Sequence, residues 1–233
     1  MSITENVARI RKEMESAAIA AGRDPKSVLL CAATKMNDTP AVREAIAAGV
    51  DCCGENRVQE LTQKQSQNAY EGVPVHFIGH LQTNKVKQVV GKVALIHSVD
   101  SLRLMQAISN EAEKQGIRQD ILLEINIGNE ESKSGFTPET LWEALAIATT
   151  LPGIFVRGLM AIPPICQNPG DNDKFFQKMY QLSVDITTKK YDNVCSTILS
   201  MGMSADYREA IRYGSTMVRI GTDIFGARNY TAK

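Results

Sequence analysis

The feature that most constrains the fold is an eightfold alternation of short apolar segments with helical segments. Most of the apolar segments are near-continuous, as is typical of strands in a parallel sheet that is covered on both faces. Alternating strands and helices with short connections predict a parallel sheet, and eight such units predict a closed (β/α)8 barrel. The predicted strands are Val28–Thr34, Val50–Gly54, Val75–Gly79, Ala94–Val99, Ile121–Ile127, Phe155–Ile162, Thr197–Met201 and Met217–Ile220.

Helix-capping residues support this division of the chain. Thr39-Pro40 supplies a cap and a first-turn proline for a helix over Ala41–Ala48, and Thr137-Pro138 does the same for Leu141–Thr149. An extra amphipathic helix is predicted at the N-terminus, over residues 2–21. The eight units extend almost to the last residue, so we expect a single domain over residues 1–233.

An open, doubly wound sheet is the alternative arrangement of the same elements. Its dinucleotide-binding form carries a Gly-x-Gly-x-x-Gly motif after the first strand. No such motif follows Val28–Thr34. The sequence therefore favours the α/β class with a closed TIM-type barrel.

Composition limits the partners and the compartment. The 233 residues are 43% hydrophobic, and 26 basic side chains balance 26 acidic ones, without a basic cluster that would suggest nucleic acid binding. No segment approaches the ~20 consecutive apolar residues that span a bilayer, and residues 2–21 lack the apolar core of a signal peptide. We therefore expect a cytoplasmic protein that binds neither nucleic acid nor membrane.

The cysteines and histidines do not indicate a metal site. The cysteines are odd in number, show no Cys-x-x-Cys spacing and lie mostly in or beside apolar segments, which predicts buried free thiols in a reducing compartment. No histidine has a second histidine or a carboxylate at ligand spacing. The cysteines are Cys31, Cys52, Cys53, Cys166 and Cys195.

Small polar residues follow the last two predicted strands and indicate an anion-binding site. Ser200–Ser204 ends the seventh strand and Gly221-Thr222 ends the eighth; Ser204 is predicted to cap the helix between them, which Gly214 stops. Glycine allows backbone N–H groups to approach phosphate oxygens closely. In (β/α)8 barrels the loops after these two strands are the usual phosphate site.

Lys35 ends the first predicted strand, which is made mostly of small residues. Barrel enzymes assemble their sites at the carboxyl ends of strands, so this amine is expected at the barrel mouth. Apolar surroundings disfavour a lysine ammonium and make a nucleophilic amine available for a Schiff base. The alternative is a lysine that simply returns to solvent after a strand. The predicted phosphate site at the same mouth makes this interpretation less attractive.

Arg219 lies in an otherwise apolar strand, two residues before Gly221. A guanidinium there stays charged and must find an acceptor. An ion pair with Glu55 is one interpretation, and a heterocyclic ring nitrogen is the other.

Five other polar side chains are weaker candidates. Asn56 is predicted to cap the next helix, or to touch a ligand. His80 is a candidate pocket wall, Lys133 lies on a polar loop after the fifth strand, and His76 and His97 are interpreted as core or rim groups.

At this point the chain resembles a known family, the pyridoxal phosphate homeostasis proteins, which are relatives of the barrel domain of alanine racemase. The resemblance extends in order over nearly the whole chain, and its motifs are long. They are Ala33-Thr34-Lys35, Gly54-Glu55-Asn56-Arg57-Val58-Gln59-Glu60, His76 to Lys85, Ser200 to Asp206, and Val218-Arg219-Ile220-Gly221-Thr222.

The resemblance implies a fold-type III barrel that binds pyridoxal 5′-phosphate. It implies that Lys35 forms the internal aldimine and that Arg219 faces the pyridine nitrogen. Asn56 is included among the cofactor-binding residues. The phosphate is expected to bind at Ser200, Met203, Ser204, Gly221 and Thr222.

Two classes of function remain open, a non-enzymatic carrier of the cofactor and a racemase-like enzyme. A Schiff-base aldolase of a sugar phosphate would leave Arg219 unexplained. Racemisation needs an acid/base on each face of the substrate carbon, and neither Tyr207 nor Tyr213 is an obvious candidate. The resemblance implies that racemases use a second domain here, so we expect a monomeric carrier that supplies apoenzymes, with no catalytic residue and no metal.

Overall fold

In the computed structural model, which describes residues 1–131, 133–165, 168, 170–189 and 191–226, eight parallel strands close into a barrel. The strands follow one another in chain order, and β8 pairs with β1. This confirms the predicted barrel and rules out the open sheet. The strands are β1 Leu29–Ala33, β2 Cys52–Glu55, β3 Val75–Phe77, β4 Leu95–Val99, β5 Gln119–Ile125, β6 Ile154–Ala161, β7 Val194–Ser200 and β8 Met217–Ile220.

Helices surround the barrel, and one connection departs from the regular pattern. Between β3 and β4 the chain forms a 3₁₀ helix, Thr83–Gln88, and a short 3₁₀ turn, Pro25–Ser27, precedes β1. The α-helices are α1 Ile3–Ala20, α2 Thr39–Ala47, α3 Val58–Ser66, α4 Leu102–Lys114, α5 Leu141–Ala148, α6 Asp173–Thr188, α7 Tyr207–Arg212 and α8 Thr222–Phe225.

The strand bounds differ from the prediction most clearly at β7. This strand begins at Val194, opposite Val156 of β6, whereas the prediction began it at Thr197. Cys195 and Thr197 are exposed and the buried Ser196 between them is polar, so the first half of the strand does not read as an apolar run. The prediction recognised only the buried half.

The caps also differ in detail. Asp38, not Thr39, caps α2, because its carboxylate accepts a hydrogen bond from the Ala41 amide at 3.0 Å. Thr140 is the residue before α5, and its hydroxyl accepts a bond from the Thr137 amide at 2.9 Å. Neighbouring residues with similar side chains compete to accept hydrogen bonds from the same amides. A cap assigned from sequence alone is therefore displaced by a few positions.

The extra helix α1 is present as predicted and covers the outer face of β1 and β8. Ser2 and Glu5 form a capping box at its start. Its buried stripe, which includes Ile10, joins a cluster with Leu30 of β1 and Val218 of β8. No helix in the described part of the chain is long and apolar enough to cross a bilayer.

Inside the barrel, alternate residues of each strand point toward the axis. Cys31, Ala33, Cys52, Ile78 and Met217 form one buried cluster there. Gly54 belongs beside them, since a Cβ at that position would lie 2.9 Å from Sγ of Cys31 and 2.7 Å from Cδ1 of Ile78. Cys31 and Cys52 are buried free thiols as predicted, and so is Cys53 on the opposite face of β2. Cys195 is exposed instead, and Cys166 lies outside the described residues.

Candidate functional site

The predicted amine lies in a tight turn just beyond β1. Lys35 is half-buried, and the next residue, Met36, has a φ of 63°. The amide of Met36 donates to the carboxylate of Glu60 at 2.6 Å, and Asn37 Nδ2 donates to the Lys35 carbonyl at 3.0 Å. The position of Lys35 is therefore fixed by the backbone around it.

A buried ion pair lies behind this turn. Glu55 accepts hydrogen bonds at one carboxylate oxygen from Lys64 Nζ at 2.7 Å, from Thr34 Oγ1 at 2.6 Å and from Tyr70 at 3.0 Å. Lys64 also donates to the Thr34 carbonyl at 2.7 Å. Because Thr34 precedes Lys35, this cluster anchors the turn to α3. Sequence reasoning missed Lys64, although a glutamate at the end of a buried strand signals that a cation must be near.

Arg219 is buried, and Glu55 is not among the partners of its guanidinium. Its guanidinium donates to the Ser200 carbonyl at 2.8 Å, to the Ser200 hydroxyl at 2.6 Å and to the Ala161 carbonyl at 2.9 Å. Glu55 is engaged by Lys64, so the ion-pair interpretation of Arg219 is wrong. Burial lowers the pKa of the Arg219 guanidinium from its usual value, but a guanidinium remains charged in a protein.

The loops after β7 and β8 are joined to each other by hydrogen bonds. The Arg219 amide donates to the Gly202 carbonyl at 3.0 Å, and the Asp223 amide donates to the Ser204 hydroxyl at 3.3 Å. Gly202 has a φ of 93° and packs so closely on α7 that a Cβ would lie 2.6 Å from the Ala210 Cβ. Among the described residues, the amides of Ser204 and Thr222 have no acceptor.

Ser204 does not cap α7, in contrast to the prediction. The residue before that helix is Asp206, whose carboxylate accepts from the Met203 amide at 2.8 Å. The helix ends at Arg212, and Gly214 follows it with a φ of 96°, which agrees with the predicted stop. The Ser204 hydroxyl thus belongs to the loop pair and not to the helix.

The hydroxyl of Ser200 points into the barrel, where it already has two partners. Besides Arg219, it lies 3.1 Å from Nδ1 of His97, and Nε2 of His97 lies 3.0 Å from Nδ1 of His76. Both histidines are buried, as expected of core groups. Burial lowers the pKa of His76 to about 4, and burial with the nearby positive charges lowers that of His97 well below its usual value, so both rings are neutral.

A pocket of about 250 Å³ opens at the mouth beside these residues, lined by the ends of β2 to β6. Asn56 lines it and does not cap α3, whose first turn has no side-chain cap. The Asn56 Oδ1 atom is buried and has no partner among the described residues. His80 is a pocket wall as predicted, and its Nδ1 lies 3.1 Å from the Asp100 carboxylate.

Lys133 and Glu124 line the same pocket. Lys133 Nζ lies 2.6 Å from the Glu130 carboxylate and 3.3 Å from the Pro163 carbonyl, so this loop charge is held at the pocket. Glu124 on β5 was missed by sequence reasoning, although it interrupts the apolar segment Ile121–Ile127. Burial raises its pKa to about 7; the Asp100 charge adds to the increase and Arg219 opposes it.

This pKa gives a testable pH dependence of stability. Between about pH 4.5 and pH 7 the folded state retains a proton on Glu124 that the unfolded chain has lost, so stability falls as pH rises through this range. For the cofactor-free protein we expect Glu124→Gln to remove a decline of about 3 kcal/mol. Urea unfolding at several pH values measures it, with exposed Glu15→Gln as control. A wild-type-minus-variant difference that is constant with pH would contradict the prediction.

Cys31, Cys52 and His76, which the sequence did not indicate as a group, come together inside the barrel. Their spacing along the chain gave no sign of this because the three residues lie on different strands, and barrel closure brings the strands together.

Comparison with known proteins places the chain in a family. The family model described as "Alanine racemase, N-terminal domain" matches residues 2–229. A pyridoxal phosphate homeostasis protein of Aquifex aeolicus is 43% identical over 230 residues, which cover 99% of this chain and 100% of the relative. That of Pseudomonas aeruginosa is 39% identical, with 99% and 98% covered.

A solved structure agrees. PipY of Synechococcus elongatus, described as having PLP bound, superposes with a TM-score of 0.83 and 31% identity, over 97% of this chain and 100% of that one. The match is end to end in sequence and in fold. The chain therefore belongs to the alanine racemase N-terminal domain family, and within it to the pyridoxal phosphate homeostasis proteins.

Proposed function

We propose that this chain binds pyridoxal 5′-phosphate at the barrel mouth and holds it for delivery to apoenzymes. The observation that carries the proposal is the arrangement of a fixed lysine, a buried arginine and two joined glycine–serine loops at one mouth. The family supports it, because PipY is described with this cofactor bound.

The residues present fit such a group. Lys35 is the proposed attachment point: when bound, the cofactor supplies an aldehyde with which the lysine amine forms a Schiff base. The turn around Lys35 is held by Glu60 and by the ion pair of Glu55 with Lys64. These contacts keep Lys35 at the mouth.

The phosphate is proposed to bind at the loops after β7 and β8. Amides without an acceptor among the described residues, those of Ser204 and Thr222, are suited to an anion, because charge-assisted hydrogen bonds to backbone N–H groups are strong. Gly221 and Met203 belong to the same loops. The hydroxyl of Ser200 is engaged by Arg219, so we propose that Ser200 serves this site mainly by positioning the arginine.

Arg219 is proposed to face the pyridine nitrogen. The guanidinium has five N–H donors, and three hydrogen bonds to Ser200 and Ala161 hold it in place. A permanent cation donates to a ring nitrogen without giving up a proton. Asn56, with a buried Oδ1 that has no described partner, is the proposed acceptor for a donor group on the ligand.

Delivery is favoured over racemisation by the state of the tyrosines. Tyr207 is buried and donates its hydroxyl to Glu13, and burial raises its pKa far above its usual value. Tyr213 donates to Asp173 at 3.0 Å. Both hydroxyls are thus engaged in hydrogen bonds between α7 and its neighbouring helices. The full-length relatives are named homeostasis proteins, whereas an alanine racemase of Clostridium difficile, at 14% identity and a TM-score of 0.74, shares only the fold.

Two assays on one preparation test the proposal. We expect the loaded protein to activate a pyridoxal-phosphate-requiring apoenzyme, while exchange of α-deuterium into L- or D-alanine stays at the rate of free cofactor. Gel filtration of the loaded protein is expected to show a monomer. Turnover at ordinary enzyme rates, roughly 1 per second or more, would make the protein an enzyme and overturn the carrier proposal.

A further inference from the structure

Three metal-ligating side chains converge inside the barrel. Cys31 on β1, Cys52 on β2 and His76 on β3 are buried, and their two Sγ atoms and one ring nitrogen lie within 4.8 Å of one another. The parallel register explains the convergence, because Cys31 pairs with Cys52 and the inward-facing Gly54 pairs with His76. The cluster is separate from the loops that the proposed phosphate site uses.

We propose that Cys31, Cys52 and His76 bind a thiophilic d¹⁰ cation, Zn²⁺ or Cu⁺. Thiolate and imidazole are the ligands that these ions prefer, and a Cys₂His set is an established zinc combination. Met217 belongs to the same buried apolar cluster as the two cysteines. Carboxylates, which harder cations require, are absent from the three-residue group.

The electrostatics of the barrel interior suit such an ion. Two thiolates neutralise Zn²⁺, and with Cu⁺ they leave one negative charge. Arg219 pairs with Cys31 in the β1–β8 register, and a negative charge on Cys31 favours the guanidinium. Binding therefore releases two thiol protons and leaves no uncompensated positive charge beside Arg219.

A second histidine orients the proposed ligand. Nδ1 of His76 lies 3.0 Å from Nε2 of His97, and Nδ1 of His97 lies 3.1 Å from the Ser200 hydroxyl. With Nδ1 engaged, Nε2 is the His76 nitrogen that can face the sulfurs. Metal-bound histidines characteristically donate their other N–H to such a partner, which fixes the tautomer and the ring orientation. His97 is thus a positioning residue for His76.

Metal content of the purified full-length protein tests the proposal. Because the three ligands are buried, the chain is loaded during synthesis in medium with added Zn²⁺ or Cu²⁺, or by anaerobic refolding with Zn²⁺ or Cu⁺. We expect elemental mass spectrometry to find about one ion per chain. The metal with which loading succeeds, zinc or copper, identifies the ion. Cys31→Ser, Cys52→Ser and His76→Gln are each expected to lose it, and His97→Gln to bind about 10- to 100-fold more weakly.

Cys53→Ser is the matched control, because Cys53 is a buried thiol on the same strand as Cys52 but on its opposite face. It is expected to keep the ion. Loss of the ion from Cys53→Ser to the same extent as from the ligand variants would overturn the proposal. It would also be overturned if the wild-type protein carried no more of either ion than Cys31→Ser. An unreduced wild-type protein whose mass shows a Cys31–Cys52 disulfide in place of an ion would overturn it too.

X-ray absorption of the loaded wild-type protein keeps the test decisive if a variant fails to fold. For zinc the expected shell holds two sulfurs at about 2.3 Å and at least one nitrogen at about 2.0–2.1 Å. A shell of oxygen and nitrogen alone would contradict the assignment. None of these readouts requires pyridoxal phosphate, so failure of the metal site and failure of the cofactor proposal are distinguishable.

Discussion

Replacing Lys35 by arginine is expected to abolish covalent retention of pyridoxal phosphate and leave the barrel intact. A guanidinium stays protonated in proteins and cannot act as the amine nucleophile that a Schiff base requires. Phosphate and Arg219 contacts would remain, so weak reversible binding persists, with affinity reduced by at least about tenfold, or ~1.4 kcal/mol. Borohydride reduction followed by intact-mass analysis and peptide mapping measures the covalent fraction.

The matched control is Lys133→Arg, which changes the lysine that lines the neighbouring pocket. This variant is expected to retain the label at the wild-type level. Circular dichroism should be unchanged in both variants, because the backbone of the Lys35 turn is held by the bond from the Met36 amide to Glu60. Reductive labelling that persists in Lys35→Arg at another single lysine would refute the assignment.

The barrel could be predicted because each strand can be recognised from its own run of residues. Strands buried on both faces are continuous apolar runs, and helices of adequate length lie between them. β7 shows where this fails: its first half contains polar and exposed residues and was missed. α7 shows a second kind of failure, since Ser204 and Asp206 are equally plausible caps and only the fold decides between them.

The location of the site could also be predicted, because topology alone brings strand ends to one mouth. Lys35, Arg219 and the loops after β7 and β8 were found in this way. Ser200 illustrates the limit, since its hydroxyl faces Arg219 and His97 inside the barrel, which depends on the register between strands.

Long-range polar partners could not be predicted. The pairs Glu55–Lys64 and His76–His97, and the convergence of Cys31 with Cys52, depend on which side chains share a level inside or behind the sheet. A one-residue change of register would move each strand's side chains to the other face. The sequence shows only that a charged residue in an apolar strand must have a partner. It does not show which residue that partner is.

Replacing Lys64 by methionine is expected to destabilise the protein by about 3–5 kcal/mol, because it leaves the carboxylate of Glu55 buried without its cation. Glu55 is fully buried and Lys64 is 7% exposed, with Nζ and Oε1 2.7 Å apart. Methionine fills a similar volume, so the loss of stability reflects the unpaired charge of Glu55 and not a cavity. The midpoint of urea unfolding measures it, and exposed Lys12→Met should change stability by less than about 0.5 kcal/mol.

The double variant Glu55→Gln with Lys64→Met separates the ion pair from packing. If the cost arises from an uncompensated charge, the double variant regains most of the stability that Lys64→Met loses, since an isolated buried charge is worse than no pair at all. Lys64 also donates to the Thr34 carbonyl, next to Lys35, and lies 3.6 Å from Glu60, which holds the Met36 amide. Cofactor retention should therefore fall together with stability in Lys64→Met and stay low in the double variant. Full stability with wild-type retention in Lys64→Met would show that the pair neither supports the fold nor positions the Lys35 turn.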